Sequence, residues 1–181
     1  MKTMIISLLC LGLTFTLNAQ KKDKIKKEKT PEIALENITI TPLNISYLKN
    51  VQDKNTPPLA KELENKAARY NVTEDPLFDG RFEAYEVIFH NESTENAKGK
   101  IIATYDGNGK IIKSIEKYTD ISLPMPILKN VKKQYPNWVI KKDIYLVTYY
   151  RGKNAKKVFK IQIKNGKQKK NLRYDSDGIV M

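Results

Sequence analysis

The sequence predicts an α+β fold of two related units, each laying one helix over antiparallel sheet. Three observations carry this expectation. The phrase "YDGNGKII" at residues 105–112 returns as "YDSDGIVM" at residues 174–181, 69 positions later. Both phrases follow runs in which apolar and polar residues alternate, the period of a strand with one buried face. Ahead of each set of runs stands a proline-led stretch with apolar residues three or four apart, the spacing of a helix stripe.

The chain opens with "MKTMIISLLCLGLTFTLNAQ", a lysine ahead of an apolar run over residues 4–17 and then the small residue Ala19. This reads as a secretory signal peptide, residues 1–19, cut after Ala19. The run is interrupted by Ser7, Thr14 and Thr16 and is shorter than the roughly 20 apolar residues of a membrane-spanning helix. The only cysteine, Cys10, lies inside it, so the exported chain is expected to have no disulfide, cysteine nucleophile or cysteine metal site. Residues 20–33, with "KKDKIKKEK", have too little apolar content to fold and read as a basic leader. Residues 34–81 form an N-terminal extension and first helix, with an edge strand or ordered extension expected around residues 33–51.

In "TPPLAKELENKAARYN", Leu59, Leu63, Ala67 and Tyr70 fall on one helical stripe. Over residues 82–181 the strands follow. "FEAYEVIFH" alternates Tyr85, Val87 and Phe89; "GKIIATYDGNGKIIKSIEKY" is two strand runs joined by an Asp-Gly-Asn-Gly turn. "LPMPILKNVKKQYPNW" places Ile127, Leu128, Val131 and Tyr135 on a second helical stripe, which Pro136 stops. "WVIKKDIYLVTYY", "KKVFKIQIKNG" and "KQKKNLRYDSDGIVM" supply the remaining strands and the last turn. The aspartate and glycine of each repeated phrase serve its turn, and Tyr105 and Tyr174 end strands on faces that can pack.

Charge is distributed unevenly. Residues 30–109 hold 8 basic and 13 acidic residues, whereas residues 110–181 hold 18 basic and 5 acidic. Residues 151–173 carry ten basic residues and no acid, a field suited to anionic ligands or an acidic protein surface. In "VFKIQIK", Phe159, Ile161 and Ile163 oppose Lys160, Gln162 and Lys164; in "KKNLRY", Leu172 and Tyr174 oppose Lys169, Asn171 and Arg173. With Tyr145 and Tyr149 assigned to the polar side, the candidate binding face comprises Tyr145, Tyr149, Lys160, Lys164, Lys169 and Arg173. An ordinary solvent-facing sheet whose tyrosines pair across strands meets the same pattern equally well.

Catalytic motifs are lacking. His90 is the sole histidine, and the sequence has no Gly-x-Ser-x-Gly turn, phosphate loop or dinucleotide fingerprint. Neither aspartate turn has the ligand spacing of an EF-hand loop, so no metal and no cofactor are expected. Asn37, Asn44, Asn71 and Asn91 begin Asn-x-Ser/Thr triplets, which mean glycosylation only in a eukaryotic secretory pathway.

The features Leu123-Pro124, Tyr135-Pro136, the long strand after Trp138 and the terminal Tyr-Asp-x-Asp-Gly turn resemble the PepSY-like domains of secreted bacterial proteins, within the β-lactamase-inhibitor-like fold. The likeness covers residues 82–181 and extends loosely to the earlier helix. It implies a non-catalytic module in the periplasm or outside the cell that binds or restrains an envelope or secreted protein, such as a peptidase, with no catalytic residue to carry over. A nicotinate-nucleotide adenylyltransferase assignment would require a His-x-Gly-His motif, which a single histidine cannot form. The alternative is an envelope-organising or adhesion protein that holds anionic glycan or lipid through its basic surfaces. Nucleic acid is not an expected partner, because no recognition motif accompanies the charge.

Overall fold

A computed structural model describes residues 43–91 and 97–181. The signal peptide, the basic leader and most of the extension read from the sequence lie outside the described residues. The remainder is an α+β architecture of six antiparallel strands and three α-helices.

Helix α1 (Ile45–Val51) leads by a short loop into α2 (Pro58–Arg69). Residues 45–51, read from the sequence as part of an edge strand or an ordered extension, are therefore a helix. Pro58 stands in the first turn of α2, where its missing N–H breaks no intrahelical hydrogen bond. The α2 stripe of Ala60, Leu63, Ala67 and Ala68 is buried. A 3-10 turn (Val72–Glu74) follows, with the Asn71 side chain accepting a hydrogen bond from the Thr73 amide.

Strands β1 (Ala84–His90), β2 (Lys98–Asp106) and β3 (Ile111–Thr119) then run up and down. After α3 (Met125–Gln134), which stops just before Tyr135-Pro136, come β4 (Val139–Tyr150), β5 (Lys156–Asn165) and β6 (Gln168–Tyr174). Strand β3 pairs with β4, so both halves share one sheet in the order β1-β2-β3-β4-β5-β6. Ile127 and Val131 of α3 are buried in the same cluster as the α2 stripe and Phe159, Ile161 and Ile163. Leu128, placed on the α3 stripe by spacing, lies toward solvent instead.

The helices cover one side of the sheet, and the register shows why that side is the core. One row across five strands reads Gly99, Tyr118, Tyr145, Phe159 and Tyr174. Tyr118 and Tyr145 stack with ring centroids 5.7 Å apart, and Tyr145 and Phe159 stack at 4.2 Å. Such pairs contribute about 1 kcal/mol each beyond the area they bury. Gly99 begins the row because α2 comes down on it. A Cβ there would stand 2.6 Å from Leu63 Cδ1 and 2.8 Å from Tyr118 Cδ1.

The repeated phrase is repeated in three dimensions. Asp106 Oδ1 accepts from the Asn108 and Lys110 amides at 3.0 and 2.9 Å; Asp175 Oδ1 accepts from the Asp177 and Ile179 amides at 3.0 and 2.8 Å. In each turn the glycine amide donates to the aspartate carbonyl, and Gly109 and Gly178 have φ of +73° and +80°. An asparagine holds each turn to a helix: Asn44 Nδ2 donates to the Gly109 carbonyl at 3.0 Å, and Asn130 Nδ2 to the Gly178 carbonyl at 2.9 Å. Asn44 is thereby buried and unsuited to carry a glycan. The halves are not strand-for-strand copies, however. The first turn joins β2 to the full strand β3, whereas the second follows β6 and leads only to a single bridge between Tyr174 and Val180.

The second turn is seated against the backbone of α3, since a Cβ on Gly178 would lie 2.9 Å from the Pro126 carbonyl carbon. Gly152 has a similar φ of +77° but open space around it. Gly152→Ala is therefore expected to cost about 1 kcal/mol through backbone strain alone. Gly178→Ala should cost at least about twice that, because strain and a backbone clash combine. Urea unfolding of the two variants measures the difference.

Candidate functional site: the open face of the sheet

With the helices on one side, the other side of the sheet has no covering element among the described residues. Its register can be followed strand by strand. Ile88, Ile102 and Ile115 stand abreast on β1, β2 and β3, continued by Thr148 and Lys156. In the neighbouring row are His90, Lys100, Lys117, Leu146 and Val158. The next reads Lys98, Thr119, Ile144, Lys160 and Arg173. Toward the far end of β4 to β6 lie Lys142, Gln162 and Asn171, then Lys164 opposite Lys169.

This face is both apolar and cationic. Ile88 on the edge strand β1 and Ile115 on the inner strand β3 are 51% and 45% exposed, an exposure that folding does not require. Around them stand lysines from every strand from β2 to β6 and a single carboxylate at mid-strand, Glu86. The ion pairs among the described residues are Arg81–Asp79, Arg151–Asp106 and Lys157–Asp53, so the open-face lysines and Arg173 enter none of them.

Four of the six residues read as a binding face are found together on it: Lys160 opposite Arg173, and Lys164 opposite Lys169. Tyr145 and Tyr149 are not. They are 0% and 2% exposed and point into the core, where Tyr145 stacks on Phe159 and Tyr149 meets Tyr47 edge-on at 5.3 Å. The physical reason is register. Tyr145 lies directly opposite Phe159, and opposed residues of paired strands must share a face. The aromatic residue that does reach the open side of β4 is Tyr150.

Sequence reasoning also missed Ile88, Ile102 and Ile115, because an isoleucine in a strand is ordinarily assigned to the core. The available signal was the doubly apolar character of β4, in which Ile144 and Leu146 alternate with Tyr145 and Val147. A strand apolar on both sides must expose one set unless both faces are covered.

A second unread feature lies on the covered side. Glu64 of α2 and Glu116 of β3 are both fully buried. Glu116 is well supplied with donors: Tyr47 Oη and Ser114 Oγ each donate to Oε1 at 2.7 Å, and Tyr118 Oη donates to Oε2 at 2.8 Å. Glu64 receives no hydrogen bond from the described residues on either oxygen. Helical spacing held the signal for Glu64, which lies four residues after Ala60 and four before Ala68 on the buried stripe.

Among the described residues no three His, Cys, Asp or Glu side chains converge as a metal-holding group. His90 is exposed at the end of β1, opposite Lys100. No described helix is long and apolar enough to cross a membrane. Comparison with known proteins gives no matching family model, no matching curated protein and no matching solved structure.

If the open face is free of folding duties, its isoleucines should be replaceable. Ile115→Thr, which keeps β-branching, is expected to change stability by no more than about 0.5 kcal/mol. Ile161→Ala on the covered face should cost about 2–5 kcal/mol. Chemical denaturation of the two variants distinguishes the faces.

Proposed function

We propose that this chain is an exported, non-catalytic binding module of the PepSY-like kind, which docks a protein bearing acidic groups around an apolar centre. The observation that carries the reading is the open sheet face, with three isoleucines abreast among cations that make no ion pair with the described residues. Apolar contact supplies the affinity there, while the surrounding lysines select acidic partners and speed encounter. An envelope or secreted enzyme such as a peptidase, restrained by having an acidic surface occupied, is the kind of partner this arrangement suits. The signal peptide read at residues 1–19 and the Leu-Pro, Tyr-Pro and Tyr-Asp-x-Asp-Gly features support the exported and PepSY-like parts of the proposal.

Flat apolar surface with mixed chemistry also separates this reading from binding to anionic glycan. A charged glycan engages the lysines and gains little from a single isoleucine, whereas a packed protein interface loses contact area when it is removed.

The test is a crosslinking pull-down from the native envelope, followed by affinity measurement with the purified partner. Lys160→Glu with Lys164→Glu is expected to weaken binding by roughly tenfold or more and to reduce its salt dependence. Ile115→Asp should weaken it comparably, with the unfolding midpoint little changed in both variants. Binding to anionic vesicles that is lost with the lysines, with no protein retained in the pull-down, would assign the face to lipid and overturn the reading.

A further inference from the structure

Glu64 and Glu116 sit where the helical cover meets the sheet. Both side chains are fully buried there, and each carboxyl lies near enough to the other to disturb its ionisation. Groups from the neighbouring elements surround them: Tyr47 from α1, Gln52 from the loop between α1 and α2, Ser114 and Tyr118 from β3, Tyr145 from β4 and Lys157 from β5, with Asp53 beyond as the partner of Lys157. The one cation in this set is already engaged, since Lys157 Nζ donates to Asp53 Oδ2 at 2.7 Å.

Two carboxylates in that setting cannot both be ionised. Each charge would be stripped of water without a countercharge, and the two would repel at close range. The hydrogen bonds indicate how the conflict is resolved. Three hydroxyls donate to Glu116, which therefore suits the ionised form. Glu64 has no hydrogen-bond partner of ordinary geometry among the described residues, which leaves its carboxyl the better placed of the two to hold a proton.

We propose that Glu64 and Glu116 form a proton-binding site in the folded protein, holding one shared proton at neutral pH that locks the α1–α2 cover onto the sheet. Removing the proton leaves two buried charges at the junction, so the cover loosens as the pH rises. The site makes the molecule an alkaline-sensitive and acid-tolerant binding module, independently of which partner occupies the open face.

Burial, followed by the charge of Glu116, pushes Glu64 up to about 9. Burial also raises Glu116, against the three hydroxyls that favour its ionised form. A carboxyl raised in the folded state holds a proton that the unfolded chain has released. Its contribution to stability is full below the ordinary glutamate range and is lost as the pH climbs through the folded value. The window therefore runs from about pH 4.5 to about pH 9.

Two measurements on the full chain test the proposal. Infrared difference spectroscopy should show a protonated carboxyl at pH 7 that disappears in Glu64→Gln. In urea unfolding, the folding constant of the wild type should fall on the order of tenfold per pH unit between about pH 5 and 8, from uptake of one proton. Glu64→Gln should be nearly flat over that range and more stable than the wild type at pH 8. Should that variant not fold, persistence of the wild-type band at pH 8 decides the matter, because Glu64 and Glu116 are the fully buried carboxyls among the described residues. A wild type without the band at pH 7, or an equal pH slope in both proteins, overturns the proposal. So does stabilisation by calcium chloride at pH 8 with loss of the band, which would make the pair a cation site.

Discussion

The row of Gly99, Tyr118, Tyr145, Phe159 and Tyr174 holds the cross-strand register on which the rest of the molecule depends. Because strand side chains alternate with a period of two, a slip of one residue at any of these pairings would turn a whole strand inside out. Stacked rings resist such a slip better than aliphatic side chains, because their overlap is lost with any sliding of one strand along its neighbour. Gly99 matters for the same row from its other end, where it lets α2 approach closely enough for Leu63 to close over Tyr118.

One consequence is that β3 and β4 serve two surfaces with opposite demands. On β3 the side chains of Ser114, Glu116 and Tyr118 point under the helices, while Ile115 and Lys117 point away from them. This inverts the usual assignment, in which the isoleucine would be inside and the glutamate outside. The inversion is tolerated because Glu116 arrives among three hydroxyls that complete its hydrogen bonding, and because Glu64 opposite can carry a proton. Polar chemistry in the core and apolar chemistry on the open side are thus two results of a single register.

The duplicated turn shows how a short phrase can be reused without duplicating the fold around it. Asp106 and Asp175 organise the same pattern of amides, and Asn44 and Asn130 each donate to the glycine carbonyl of their own turn, Gly109 and Gly178 respectively. Burial by itself would raise Asp106, but the amides of Lys110 and Asn108 and the Arg151 guanidinium outweigh it and hold the carboxyl below the usual range. These bonds are local and self-sufficient, so the turn forms alike whether a full strand or a single bridge follows it. Its role in each case is to fasten a strand end to a helix terminus or helix face.

The amino-acid sequence by itself determined the elements whose cause is local. These are the α2 and α3 helices, with Leu63, Ala67, Ile127 and Val131 inside, the proline entrances, the aspartate-glycine turns, and the alternation that sends Phe159, Ile161 and Ile163 one way and Lys160 and Lys164 the other. Tertiary structure decided what depends on a partner element: that residues 45–51 are helical, that both halves join through β3 and β4, that Tyr145 and Tyr149 are inside, and that Glu64 meets Glu116. The reason is physical. Alternation says that a strand has two faces but cannot say which is covered when both carry apolar groups, and only pairing with β5 and the descent of the helices onto one side break that symmetry.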